Sequence, residues 1–171
     1  EILEETPPWQ GGGEMISRVT LEGSEWARVP QKFEAGTPHI AGAVGLGAAV
    51  DYLEGIGMEA VRDREAALAE HALRRLEDVD GLTLYGPDAG RAAVFSFTFR
   101  DIHAHDLATI LDRRGIAVRA GHHCNQPLMD LLGVESTARA SLSFYNTREE
   151  IDALVEGLHF AARVFGSDGE G

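Results

Sequence analysis

AVFSFTFRDIHAHDLATILDRRGIAVR, residues 93–119, changes its period twice. Ala93 to Phe99 is built from aromatic and β-branched residues, which suit a buried strand. His103 to Arg114 reads as a helix, ended by Gly115 at its C-terminus. Ile116 to Arg119 reads as a second strand. Strand, helix and strand in so short a span give an α/β domain. Upstream, Leu82 to Tyr85 is a short strand stopped by Gly86-Pro87. Met58 to Val79 is an amphipathic helix with Val61, Leu68, Ala72, Leu73 and Leu76 on one face. Ile40 to Ile56 is rich in small and aliphatic residues, and Gly42, Gly45 and Gly47 allow close helix packing. Downstream, the loop GHHCNQ leads to a short helix near Pro127 to Leu132, and Ala138 to Phe144 is a strand. Asn146 or Thr147 caps a last helix, Arg148 to Phe165, with Glu149 and Glu150 in its positive first turn. Near the N-terminus, Met15 to Leu21 alternates as a strand. Glu22-Gly23-Ser24 turns it, and Trp26 to Val29 is the expected returning arm. The fold class is α/β: a small, mostly antiparallel sheet with helices packed on it.

The chain has 171 residues, about one domain by the usual length prior. Its 44% hydrophobic and 25% charged residues are near globular averages, which excludes disordered and low-complexity classes. No apolar run approaches the roughly 20 residues of a membrane span, so no membrane partner is expected. Acids number 28 against 15 Lys plus Arg, a net charge of −13. No nucleic acid is expected either, since phosphate neutralisation needs clustered cations. Lys32 is the only lysine, and the other 14 cations are arginines. A high-salt cytoplasm and a GC-rich genome both account for that bias. The single cysteine excludes an internal disulfide and any multi-cysteine zinc motif. The chain opens on Glu1 with no signal-peptide pattern. A cytoplasmic location and a piece of a longer protein are the expectations.

Cys124 is the first chemical candidate. It follows Gly121-His122-His123 and precedes a helix start, and both surroundings favour thiolate over thiol. A free cysteine is more often a small buried hydrophobe, but Gly, His, His and Asn make a poor core. His103, His105, His122, His123 and Cys124 could be combined as zinc ligands; their spacing is no recognised ligand pattern, and no metal is expected. Arg139 lies in the strand-like run Ala138 to Leu142. An arginine there needs an anion, either a structural acid or a bound carboxylate gripped by its fork. Arg119, at the end of the preceding strand, is a weaker second. Gly36-Thr37-Pro38 could offer the Thr37 hydroxyl and backbone N–H groups to a phosphate.

Five ordered segments belong together: PPWQGGGEMI, FEAGTPHIAGAVGLGAAVDYL, LYGP, GIAVRAGHHCNQPLM and RASLSFYNTREEID. In that order they resemble the Suf-type cysteine desulfurases, a group that includes the selenocysteine lyases, among the pyridoxal-phosphate enzymes of the class V aminotransferase superfamily. The resemblance runs from Pro7 to about Phe160, and RAGHHCNQPLM, residues 119–129, is its most specific part. It implies the small C-terminal domain of a fold-type I transferase that depends on pyridoxal 5'-phosphate. It implies that Cys124 takes sulfur from L-cysteine as a persulfide and that Arg139 holds the substrate carboxylate. Arg119 and His123 fall in the active-site loop. Thr37, with Gly36, falls on the segment touching cofactor phosphate across a homodimer interface. Gln10 to Gly13 falls on a region lining the partner's site. The implied receiver of sulfur is an acceptor protein of iron–sulfur cluster assembly.

One departure is large. In the resembled family a lysine within Ser-x-His-Lys holds the cofactor, and Lys32 in QKFEAG is not that motif. The chain corresponds to the last two-fifths of such an enzyme, and alone it is expected to be inactive. The resemblance divides it into a large-domain end with an interface hairpin over 1–38, the small domain over 39–165, and a disordered tail over 166–171. The alternative is a non-catalytic sulfur-accepting or interaction module that binds a desulfurase or a scaffold.

Overall fold

The computed structural model describes residues 1–88 and 90–166, in two units divided between Gly55 and Ile56. In the first unit, α1 (Ile2–Glu5) is a single turn, and β1 (Ile16–Val19) pairs antiparallel with β2 (Ser24–Trp26). The returning arm thus starts at Ser24, two residues before the expected Trp26. Thr20 takes over the turn: its N–H and hydroxyl both bond to the Gly23 carbonyl, at 2.8 and 3.2 Å. Met15 is fully buried beneath this hairpin, whose own strands are exposed. Lys32 is buried, and its Nζ donates to the Glu4 carbonyl at 2.8 Å. α2 (Ile40–Ile56) is apolar, yet none of its residues is buried.

The second unit contains α3 (Met58–Glu77), β3 (Leu82–Tyr85), β4 (Val94–Phe99) and α4 (Ala104–Asp112). β5 (Arg119–Gly121), α5 (Gln126–Leu132), β6 (Thr137–Ser141) and α6 (Arg148–Gly166) follow. The sheet order is β3-β4-β6-β5, and every neighbouring pair is antiparallel. Phe95, Phe97 and Phe99 point to one face of β4 and are fully buried. Alternation places Ala138 and Ala140 of β6 on that same face, where both are buried. Leu68, Ala72 and Leu76 of α3, Leu107 and Leu111 of α4, and Ile151, Leu154 and Leu158 of α6 complete the core. The helices therefore cover one face of the sheet. Fully burying each such side chain contributes about 1.5–3 kcal/mol before entropy is counted. α6 needs Gly157: a Cβ there would stand 2.7 Å from Leu111 and 2.8 Å from Ile116.

Ile116 to Val118 lies outside the ladder: the Ile116 N–H bonds back to the Leu111 carbonyl at 3.0 Å, and β5 begins only at Arg119. β6 in turn stops at Ser141 rather than Phe144. Asn146 accepts the Ser143 N–H on Oδ1 at 2.8 Å and turns the chain there. Thr147, not Asn146, caps α6: its Oγ1 accepts the Glu150 N–H at 3.3 Å while Glu150 accepts the Thr147 N–H at 2.9 Å. Of the expected tail over 166–171, Gly166 ends α6 and the rest lies outside the described residues. Among those described, no single helix is long and apolar enough to cross a membrane.

Candidate active site

β5 and β6 aim their polar residues away from the helices. In the ladder Arg119 pairs with Arg139, Gly121 with Thr137, and Ser96 of β4 with Arg139. Odd-numbered residues of β6 face opposite to the buried Ala138 and Ala140, so Thr137 and Arg139 share the uncovered face. Directly opposite like charges destabilise a sheet. Among the described residues neither arginine forms an ion pair with a carboxylate. Arg139 is half-buried, and its Nε is a buried donor without a partner. The protein thus holds two cations side by side and leaves them open to an anion.

After β5 the chain turns sharply. His123 and Cys124 both adopt left-handed backbone, at φ 55° and 61°. Residues with a Cβ rarely do so, and such strain concentrates at functional sites. The turn exposes Cys124 and sets its Sγ 3.2 Å from Arg119 Nη2, which donates to it. His123 is held through Nε2, 2.8 Å from the Thr137 hydroxyl. Burial lowers the His123 pKa from the ordinary imidazole value. The charges of Arg139 and Arg119 lower it further, while the Thr137 backbone, as an acceptor toward the ring, raises it. The ring is therefore biased toward its neutral form. Arg119, His122, His123, Cys124 and Pro127 line an open cleft of about 500 Å³.

Four of the residues singled out in the sequence, Cys124, Arg119, Arg139 and His123, come together here. Thr37 and Gly36 belong to the first unit. There Gly36, at φ 91°, donates its N–H to the Gly13 carbonyl at 2.8 Å, and Thr37 is exposed. Gly12 packs so tightly on this turn that a Cβ would lie 3.1 Å from the Gly36 nitrogen. Thr37 could receive a phosphate, but Lys32, the one amine able to condense with an aldehyde, is buried against a carbonyl. The residues present do not by themselves fit pyridoxal phosphate.

The histidines do not gather as a zinc set. His103 caps α4, accepting the His105 N–H on Nδ1 at 3.2 Å, and its Nε2 faces Ser136 at 3.5 Å. Thr137 was not evident as a site residue from sequence. Its place opposite Gly121 in the ladder is a register fact, and one residue of slip would turn its side chain to the other face. A second cleft of about 400 Å³ is lined by Ile116, Ser141, Leu142, Tyr145 and Glu150 among others, and Cys124 is not part of it.

Residues 1–154 match the family model described as aminotransferase class-V. A probable cysteine desulfurase of Halalkalibacterium halodurans is 54% identical over 164 residues, 96% of this chain and 40% of the relative. A cysteine desulfurase of Salmonella agona is 50% identical over 166 residues, 96% of this chain and 41% of that one. Among solved structures, the cysteine desulfurase CsdA of Escherichia coli, in an S-sulfonic acid form, is 37% identical. It superposes at a TM-score of 0.85, covering 92% of this chain and 39% of that one. The apo cysteine desulfurase of Thermococcus onnurineus NA1 is 38% identical at a TM-score of 0.85, covering 92% and 40%. The chain spans about 40% of the length of the curated relatives it matches. With the family model matched over 1–154 and the fold shared with these structures, the chain belongs to the class-V aminotransferase family.

Proposed function

We propose that the protein carrying this chain is a cysteine desulfurase, and that the chain supplies its sulfur acceptor and its substrate clamp. The observation that carries the reading is the trio of Arg119, Arg139 and Cys124. Two arginines without a carboxylate partner among the described residues stand across one ladder position, and the only cysteine in the sequence lies 3.2 Å from one of them. The names of the similar proteins point the same way.

The chemistry assigned to these residues is simple. The Arg139 fork binds the L-cysteine carboxylate bidentately and fixes the direction in which its side chain points. The Cys124 sulfur anion attacks the substrate sulfur. A sulfur–sulfur bond forms and the carbon–sulfur bond breaks, with its electron pair passing to carbon. That carbon takes a proton and leaves as L-alanine, and Cys124 keeps the persulfide. Arg119, already donating to the Cys124 sulfur, stays within reach of the negative charge through the transfer. Family members use pyridoxal phosphate, so the cofactor amine would come from residues outside this chain, with Thr37 at the phosphate. The persulfide then passes to an acceptor protein of iron–sulfur cluster assembly, and the working form is a homodimer.

The test uses the full-length protein loaded with cofactor. With L-cysteine and a thiol acceptor it should release alanine and sulfide, and Cys124→Ala should abolish sulfide release. Undiminished sulfide release by Cys124→Ala would refute the assignment. A sulfur-accepting module, in contrast, would gain sulfur only from a separate desulfurase.

A further inference from the structure

Two consecutive non-glycine residues in left-handed backbone need something to hold them. His123 and Cys124 are such a pair; histidine tolerates this conformation better than most residues, but cysteine does not. Part of the hold is local, where the Asn125 N–H bonds the His122 carbonyl at 2.9 Å, and part comes from β6. Thr137 pairs with Gly121, the last residue of β5, and is fully buried on the arginine-bearing face. Its hydroxyl meets His123 Nε2 at 2.8 Å. His123 Nδ1 is buried with no partner. A buried N–H left unpaired is costly, so the neutral ring is best satisfied with its proton on Nε2, given to the Thr137 hydroxyl, and a bare lone pair on Nδ1.

We propose that Thr137 is a positioning residue for the sulfur-transfer loop: by gripping the Nε2–H of His123 it keeps Cys124 in the left-handed conformation that sets its sulfur against Arg119. The proposal rests on Cys124 as sulfur acceptor and adds the device that aims it. Thr137 itself touches neither substrate nor the reacting sulfur. A hydroxyl two residues along β6 from Arg139, on the same face, thus links the carboxylate clamp to the nucleophile.

The experiment uses full-length protein labelled with ¹⁵N-histidine, and two readouts that need no L-cysteine. The first is the imidazole ¹⁵N spectrum. The second is the rate at which iodoacetamide alkylates Cys124 at one neutral pH. The wild type should show His123 protonated on Nε2. Thr137→Val keeps the shape and removes the hydroxyl. It should shift the His123 Nε2 resonance and slow alkylation about fivefold, as the sulfur leaves its cationic donor. Thr137→Ser should restore both. A wild-type proton on Nδ1, an alkylation rate in Thr137→Val within about twofold of wild type, or no rescue by serine would each overturn the proposal. If Thr137→Val does not fold, the wild-type tautomer and a near-wild-type rate in Thr137→Ser decide the matter. Failure of the desulfurase reading looks different: Cys124 would gain no sulfur from cysteine while tautomer and alkylation stayed as described.

Discussion

Arg119 and Arg139 face each other across a ladder in a protein of net charge −13. With 28 acids in the sequence, neither arginine has an ion pair to a carboxylate among the described residues, and on this the proposal of Arg139 as substrate clamp rests. Arg139→Ala in the full-length protein should weaken L-cysteine binding. A charge-assisted contact is worth about 1.5–3 kcal/mol, or roughly 10–150-fold in affinity. Arg139→Lys should recover only part of this, because a point charge cannot reproduce the fork. Substrate titration of both variants checks it, and unchanged affinity in Arg139→Ala would remove the clamp. His123 gives a pH signature. Burial and the neighbouring arginines hold its folded pKa below that of the unfolded chain. The unfolded state therefore takes up the proton first as pH falls. Stability should be whole above about pH 6.5 and decline below it until the folded ring also protonates. Denaturant melts at about pH 7.5 and about pH 5.5 should show a larger loss in wild type than in His123→Gln. Equal losses would contradict the depressed value.

The sheet and helices of the second unit were legible because their periods are strong. Phe95, Phe97 and Phe99 alternate without a break, and Leu68, Ala72 and Leu76 repeat at helical spacing. The misplaced ends have physical causes that periodicity does not contain. Ile116 to Val118 looks like a strand, but the Ile116 N–H is taken by the Leu111 carbonyl in α4 and the ladder starts only at Arg119. Phe144 looks like the end of β6, but Asn146 turns the chain after Ser141. Cys124, Arg139 and His123 were visible as residues. The ladder that makes Arg119, Arg139 and Thr137 neighbours depends on register and was not. The sequence leaves the α6 cap between Asn146 and Thr147, and the reciprocal bonds of Thr147 and Glu150 resolve it. Thr147→Ala should therefore cost about 1 kcal/mol of stability, whereas an uncapped start would tolerate it. A chemical melt of that variant distinguishes the two.

On the scale of the molecule, α2 is the element that asks for more protein. Ile40, Val44, Leu46, Val50 and Tyr52 are exposed on it, and none of its residues is buried. So large an apolar surface is seldom left open in a soluble monomer. The 171-residue chain made alone should bind a hydrophobic dye more strongly, mole for mole, than the full-length protein. Equal or weaker dye binding would show that α2 needs no cover. The function assigned to the whole rests in the end on one atom, the Cys124 sulfur. Full-length protein loaded with pyridoxal phosphate is mixed with L-cysteine in the absence of any thiol acceptor, then digested and weighed by mass spectrometry. The peptide holding Cys124 should gain the mass of one sulfur atom, with an equal amount of alanine released. Alanine released while that peptide keeps its unmodified mass would contradict Cys124 as the sulfur acceptor.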